Sequence, residues 1–129
     1  MMSSGPKRIL IVEDNKTDAR LLKDILEAHG YDTLQSRDGL EAIDLAVADL
    51  PDLILMDIRL PEISGLEVTR RLREDSRSQH SPIVAVTALA IDWLEREALD
   101  SGCDAYITKP ITILGLLRTV EAFLSRDSR

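Results

Sequence analysis

"LILMDIRLP", residues 53–61, sets four apolar residues against an aspartate and reaches a proline four positions later. The run around it, "DLILM" at 52–56, has strand length and no polar interruption, as in a strand buried on both faces of a sheet. Asp57 therefore stands either as a helix-style cap placed after a strand or as a reactive carboxylate held at the end of a buried one. Working outward, the same kind of run recurs at "RILIV" (8–12), at "PIVAV" (82–86) and, shorter, at "AYIT" (105–108). "DTLQS" (32–36) alternates instead, as an edge strand does.

Helical patterns lie between these strands. The last is clearest: Ile113, Leu116, Leu117, Val120, Phe123 and Leu124 recur at three and four residues and predict one core face. Residues 16–28 predict a first helix with Leu22, Ile25 and Leu26 inward, His29 at its end and Gly30 as its stop. Residues 39–49 predict a second, with Ala42, Ile43, Ala46 and Val47 inward; 65–75 and 92–101 complete the set, the latter ended by Gly102. Five strands alternating with five helices over short connections predict an α/β fold, a doubly wound parallel sheet.

The chain has 129 residues and is 44% hydrophobic, enough for one core and no second domain. A formal charge of −7 argues against nucleic acid or an anionic membrane as partner and favours proteins and cations. One cysteine, Cys103, excludes an intrachain disulfide and suits a reducing compartment. The start "MMSSGPKR" lacks a signal-like apolar stretch, and no run approaches the roughly 18 apolar residues of a membrane span, so a cytoplasmic protein is expected. Only short polar ends, 1–6 and 125–129, flank the patterned region.

In such a sheet the chemistry sits beyond the carboxyl ends of the strands. Those positions hold Glu13, Asp14 and Asn15 after the first strand, Asp57 at the third, Thr87 and Ala88 after the fourth, and Lys109 and Pro110 after the fifth. Neighbouring first and third strands would gather Glu13, Asp14 and Asp57. Three carboxylates repel, so either their pKa values rise or a cation neutralises them. Oxygen donors without His or Cys suit a hard ion, and a shallow site suits Mg²⁺. Asp14 and Asn15 would equally serve as helix caps.

"ILIVEDN", "DLILMDIRLPEISGLEV", "IVAVTA" and "GCDAYITKPI" together resemble the receiver domains of bacterial two-component response regulators, from Lys7 to Leu124. Within that family the chain looks most like the single-domain cell-division regulators of the DivK type. The resemblance implies a flavodoxin-like receiver fold with strand order 2-1-3-4-5 over residues 7–125, and no output domain. It implies Asp57 as phosphoacceptor, and Glu13, Asp14, Asp57 and the backbone carbonyl of Arg59 as Mg²⁺ ligands. Thr87 and Ala88 would meet the phosphoryl group, Lys109 would bind it, Tyr106 would be the aromatic switch, and Lys109–Pro110 a cis peptide. The implied donor is a histidine kinase or histidine phosphotransfer protein, with output through a downstream protein effector rather than catalysis on another substrate.

Three other readings stay open on sequence alone: an adaptor that works without phosphorylation, a hydrolase with an aspartyl-phosphate intermediate, and a flavin carrier. The hydrolase would want a second carboxylate two residues past the nucleophile, where this chain has Arg59. The flavin carrier would want a Gly, Ser or Thr loop after the first strand, where it has "EDN". Arg59 and Leu89 flank the approach of a hydrolytic water and neither is a base, so slow acyl-phosphate hydrolysis is expected. Trp93, the one tryptophan, opens the fourth helix as either a partner surface or local core packed on Leu89 or Leu94.

Overall fold

The computed structural model describes residues 5–88 and 91–125. Expectations for Leu89, and for the polar ends at 1–4 and 126–129, fall outside the described residues. In chain order the elements are β1 (Arg8–Val12), α1 (Lys16–Ala28), β2 (Asp32–Ser36), α2 (Gly39–Asp49), β3 (Leu53–Asp57), α3 (Gly65–Glu74), β4 (Ile83–Thr87), α4 (Asp92–Ser101), β5 (Ala105–Thr108) and α5 (Ile113–Leu124). All strands pair in parallel, in the order β2-β1-β3-β4-β5. Strands β3 and β4 begin one residue later than their apolar runs, so Asp57 and Thr87 are the last residues of their strands.

Period-two alternation divides the core in two. Ile9, Ile11, Leu53, Leu55, Val84 and Val86 face α1 and α5, where they meet Leu22, Ile25, Leu26, Leu116 and Val120. Leu10, Val12, Ile54, Met56, Ile83 and Ala85 face α2, α3 and α4. Each large aliphatic side chain so buried stabilises the fold by about 1.5–3 kcal/mol. Continuing the alternation past the strand ends puts Glu13 and Asp57 on the α1/α5 side and Thr87 on the α4 side.

The helix starts are capped by short polar side chains. Asn15, Asp38, Ser64 and Thr112 each accept a hydrogen bond from a backbone N–H three residues on. Ile91 before α4 makes no side-chain cap, and only acids in the first turn, Asp92 and Glu95, complement that helix end.

Two expected core positions are not core. In α2 the inward row is Ala42 and Ala46, flanked by Ile43 and Leu45, while Val47 is only half-buried. Leu45 and Ala46 stand three and four residues from Ala42 and share its stripe; Val47 lies a further step around the helix. In α5, Ile113 is 56% exposed. It occupies the first helical position, before the axis has carried the stripe beneath the sheet. Leu116→Ala should therefore lower unfolding free energy by about 2–5 kcal/mol, and Ile113→Ala should change it by less than about 0.5 kcal/mol, both measured by urea denaturation.

Candidate functional site

Three strand ends and one helix build the site. Glu13 follows β1 and is buried; its neighbour Asp14 is exposed, and Asp57, ending β3, is 5% exposed. Each offers a carboxylate oxygen within 4.8 Å of the others. Asn15, not Asp14, caps α1, accepting from the Asp18 N–H at 2.9 Å, so Asp14 is left to the cluster. Lys109, after β5, points into the same space: its Nζ lies 2.9 Å from Glu13 Oε1 and 3.7 Å from Asp57 Oδ2. A third carboxylate, Asp18 Oδ2 on α1, accepts from it at 2.8 Å. These groups line a cleft of about 270 Å³, with Arg59 and Ala88 on its wall.

The backbone fixes Asp57 from two sides. The Arg59 N–H donates to Asp57 Oδ1 at 3.0 Å, and the Gly65 N–H donates to the Ile58 carbonyl at 2.9 Å. That second bond brings α3 so close that a Cβ on Gly65 would stand 2.2 Å from the Asp57 carbonyl oxygen. Only glycine fits there.

The arrangement suits a metal ion. Among the described residues, the buried Glu13 Oε1 has only the Lys109 amine as its ion-pair partner, at 2.9 Å, and the donors on offer are all oxygens, as a hard divalent cation prefers. The family model for the response regulator receiver domain matches residues 9–121.

The chain belongs to that family.

As a receiver it is 50% identical over 119 residues to the polar-differentiation response regulator DivK of Brucella anthropi, covering 92% of this chain and 97% of that one. DivK of Brucella ovis is 49% identical over 118 residues, again 92% of this chain and 96% of that one. Among solved structures, the receiver domain of the sensor histidine kinase PA1611 from Pseudomonas aeruginosa superposes with a TM-score of 0.88 at 31% identity, covering 94% of this chain and 99% of that one. That protein was crystallised with a magnesium ion coordinated in its active-site cleft. Chemotaxis protein CheY4 of Vibrio cholerae gives 0.88 at 25% identity, over 93% of this chain and 100% of that one.

The receiver's other expected residues divide between the faces. Thr87, wholly buried, ends β4 one residue beyond Val86, the register partner of Asp57. The Lys109 N–H donates to the Thr87 carbonyl at 2.7 Å. Tyr106 pairs in register with Ala85 and packs, half-buried, on the α4 side. The Lys109–Pro110 peptide is cis. Trp93 is 62% exposed in the first turn of α4, so it is surface and not local core. A larger groove, about 390 Å³, runs between α1 and β2, where Glu13 and Asp24 stand among Lys16, Arg20, Lys23 and Arg37, and Asp57 is not part of its lining.

Sequence reading does not single out Asp18 or Gly65. Asp18 carries one signal, a first-turn acid four residues past Asp14, yet its use by Lys109 depends on where α1 crosses the sheet. Gly65 looks like an ordinary helix start.

Burial first, then the nearness of Asp57, raise Glu13 from 4.5 to about 7, against the pull of Lys109 and the Asn15 N–H. Burial disfavours the Lys109 cation, but its bond to Asp18, its pairing with Glu13 and the Asp57 charge outweigh that and hold the amine above its ordinary range. Glu13 therefore titrates higher folded than unfolded: its contribution to stability is whole below about 4.5 and is lost as pH rises toward about 7. Lys109→Met should lower stability by about 3 kcal/mol at pH 8, where it leaves carboxylate charge without its partner. The loss should be smaller at pH 6, where Glu13 takes up a proton; denaturant titrations at the two pH values check this.

Proposed function

We propose that this receiver takes a phosphoryl group onto Asp57 from a phosphohistidine of a histidine kinase or histidine phosphotransfer protein, and signals through phosphorylation-dependent contact with a protein effector. The observation that carries this reading is the Asp57 carboxylate at a strand end, beside two further carboxylates and within 3.7 Å of a protonated amine. Asp57 is the nucleophile: its oxygen bonds to phosphorus as the P–N bond to the donor imidazole breaks, and the electron pair returns to that nitrogen. Lys109 offsets charge on the equatorial oxygens. Asp57, Asp14, the Arg59 carbonyl and, with it, Glu13 are the residues that would hold Mg²⁺, which supplies further charge neutralisation when bound.

Thr87 and the Ala88 backbone then meet the new phosphoryl group. Thr87 shares the α4 face with Tyr106, and its move toward the phosphoryl group draws the loop after β4 inward and leaves space for the ring to turn in. Phosphorylation thereby favours one arrangement of the α4, β5 and α5 surface over another, a population shift. Trp93, exposed at the start of α4, contributes to the partner surface.

Residues 7–125 act as the receiver, in the cytoplasm; the chain matches the DivK relatives over 96–97% of their own length. The chain is not an enzyme in the ordinary sense, since the only group it transfers is its own phosphoryl. Arg59, on the cleft wall, and Leu89 make hydrolysis of the acyl phosphate slow. The constitutive adaptor is less well supported, because it would have no use for the buried cluster.

Intact mass after incubation with a small-molecule phosphodonor tests the reading. One phosphoryl group should be gained with Mg²⁺, and essentially none without it or in Asp57→Asn. An equal gain in Asp57→Asn, or no gain in the folded protein from either small-molecule or phosphohistidine donors, would refute it.

A further inference from the structure

Lys109 spends its donors unevenly. Its Nζ is 2.8 Å from Asp18 Oδ2 and 2.9 Å from Glu13 Oε1, but 3.7 Å from Asp57 Oδ2, beyond hydrogen-bond length. A charge-assisted bond of 2.8 Å is of the strong kind. The Lys109 side chain is 16% exposed and that of Asp18 34%, so solvent screens the pair from one side only. Asp18 stands apart from the three carboxylates that could hold a metal ion. It reaches the amine because α1 covers the same sheet face as Glu13 and Asp57.

We propose that Asp18 is a positioning residue that holds Lys109 back from Asp57 and so sets how readily the site accepts a phosphoryl group. The inference rests on the reading of Asp57 as phosphoacceptor. As the Asp57 O–P bond forms and the donor's P–N bond breaks, the incoming phosphoryl oxygens need the Lys109 amine. In the resting site Asp18 is its nearest acceptor. An interaction made in the ground state and loosened in the transition state slows the step. The Asp18 charge acts in the same direction by repelling the anionic donor.

A merely structural Asp18 would act otherwise. Its backbone N–H is bonded to Asn15 and its carboxylate favours the first turn of α1, so its loss would alter stability and leave the transfer rate alone. Asp18→Asn separates the two, because the amide keeps the shape and an acceptor oxygen while losing the charge. Asp18→Glu restores the charge.

The test uses the full chain with Mg²⁺ and phosphoramidate, whose P–N bond breaks to release ammonia. Phosphorylation rate is followed by intact mass across donor concentrations, with Asp57→Asn as control. Asp18→Asn should raise the maximal rate roughly three- to tenfold, the range for loosening one charged hydrogen bond that is partly open to solvent. Asp18→Glu should return the rate to that of the unaltered protein. A rate in Asp18→Asn equal to or below that of the unaltered protein, or an equal acceleration in Asp18→Glu, would overturn the proposal while leaving Asp57 as phosphoacceptor. Failure of the unaltered protein to gain an Asp57-dependent phosphoryl group would remove the phosphoacceptor reading and this proposal with it.

Discussion

One ammonium group among carboxylates governs this molecule. Lys109 Nζ lies within 4 Å of Glu13, Asp18 and Asp57, and without it the buried end of the sheet would hold several like charges with nothing opposite them. The neutralisation is incomplete. Although Lys109 pairs with it at 2.9 Å, the pKa of Glu13 stands at about 7 because burial and Asp57 still work against its charge. A group balanced this way gains from a cation that arrives beside it. The rest of the fold serves to keep the balance rigid: the central strands bury uniformly apolar residues, and Gly65 lets α3 press on the Asp57 carbonyl.

The sheet also separates the charged cluster from Thr87 and Tyr106. Glu13, Asp57 and Lys109 share the α1/α5 side, with Asp18 supplied from α1, whereas Thr87 and Tyr106 belong to the α4 side. The hydrogen bond from the Lys109 N–H to the Thr87 carbonyl ties the two across the β4–β5 pair. The charged cluster is thus joined through the backbone to a residue whose side chain belongs to the opposite layer. The start of α4 has no side-chain cap, while its last turn is closed by Gly102. Arg73 holds that closed end, donating through Nε and Nη2 to the Gly102 carbonyl.

Most of this was legible in the residues. Continuous apolar runs fix β1, β3 and β4 as buried strands because both faces are covered, and β2, which alternates, is an edge strand; β5 reads as the same kind of run, yet it is the other edge and its residues are half-buried or exposed. Helix limits agreed within a residue where a polar cap or a glycine marked them. The carboxylates at 13, 14 and 57 and the amine at 109 were readable because strand ends converge in this architecture. What was not readable depended on three-dimensional placement. Ile113 fits the apolar period yet lies before the point where α5 meets the sheet, and Val47 sits just off its stripe. Asp18 looks like a helix-start acid, and only the crossing of α1 over the sheet brings it to Lys109.

The incompletely neutralised carboxylate cluster has the donor set for a divalent cation. Calorimetric titration with Mg²⁺ in buffers of different ionisation enthalpy tests that fit most directly. With Glu13 at about 7, binding at pH 6 should release close to one proton, and affinity should weaken about tenfold per pH unit below that value. At pH 8 the release should nearly vanish. Binding that releases no proton at pH 6 and keeps the same affinity at pH 8 would contradict the account.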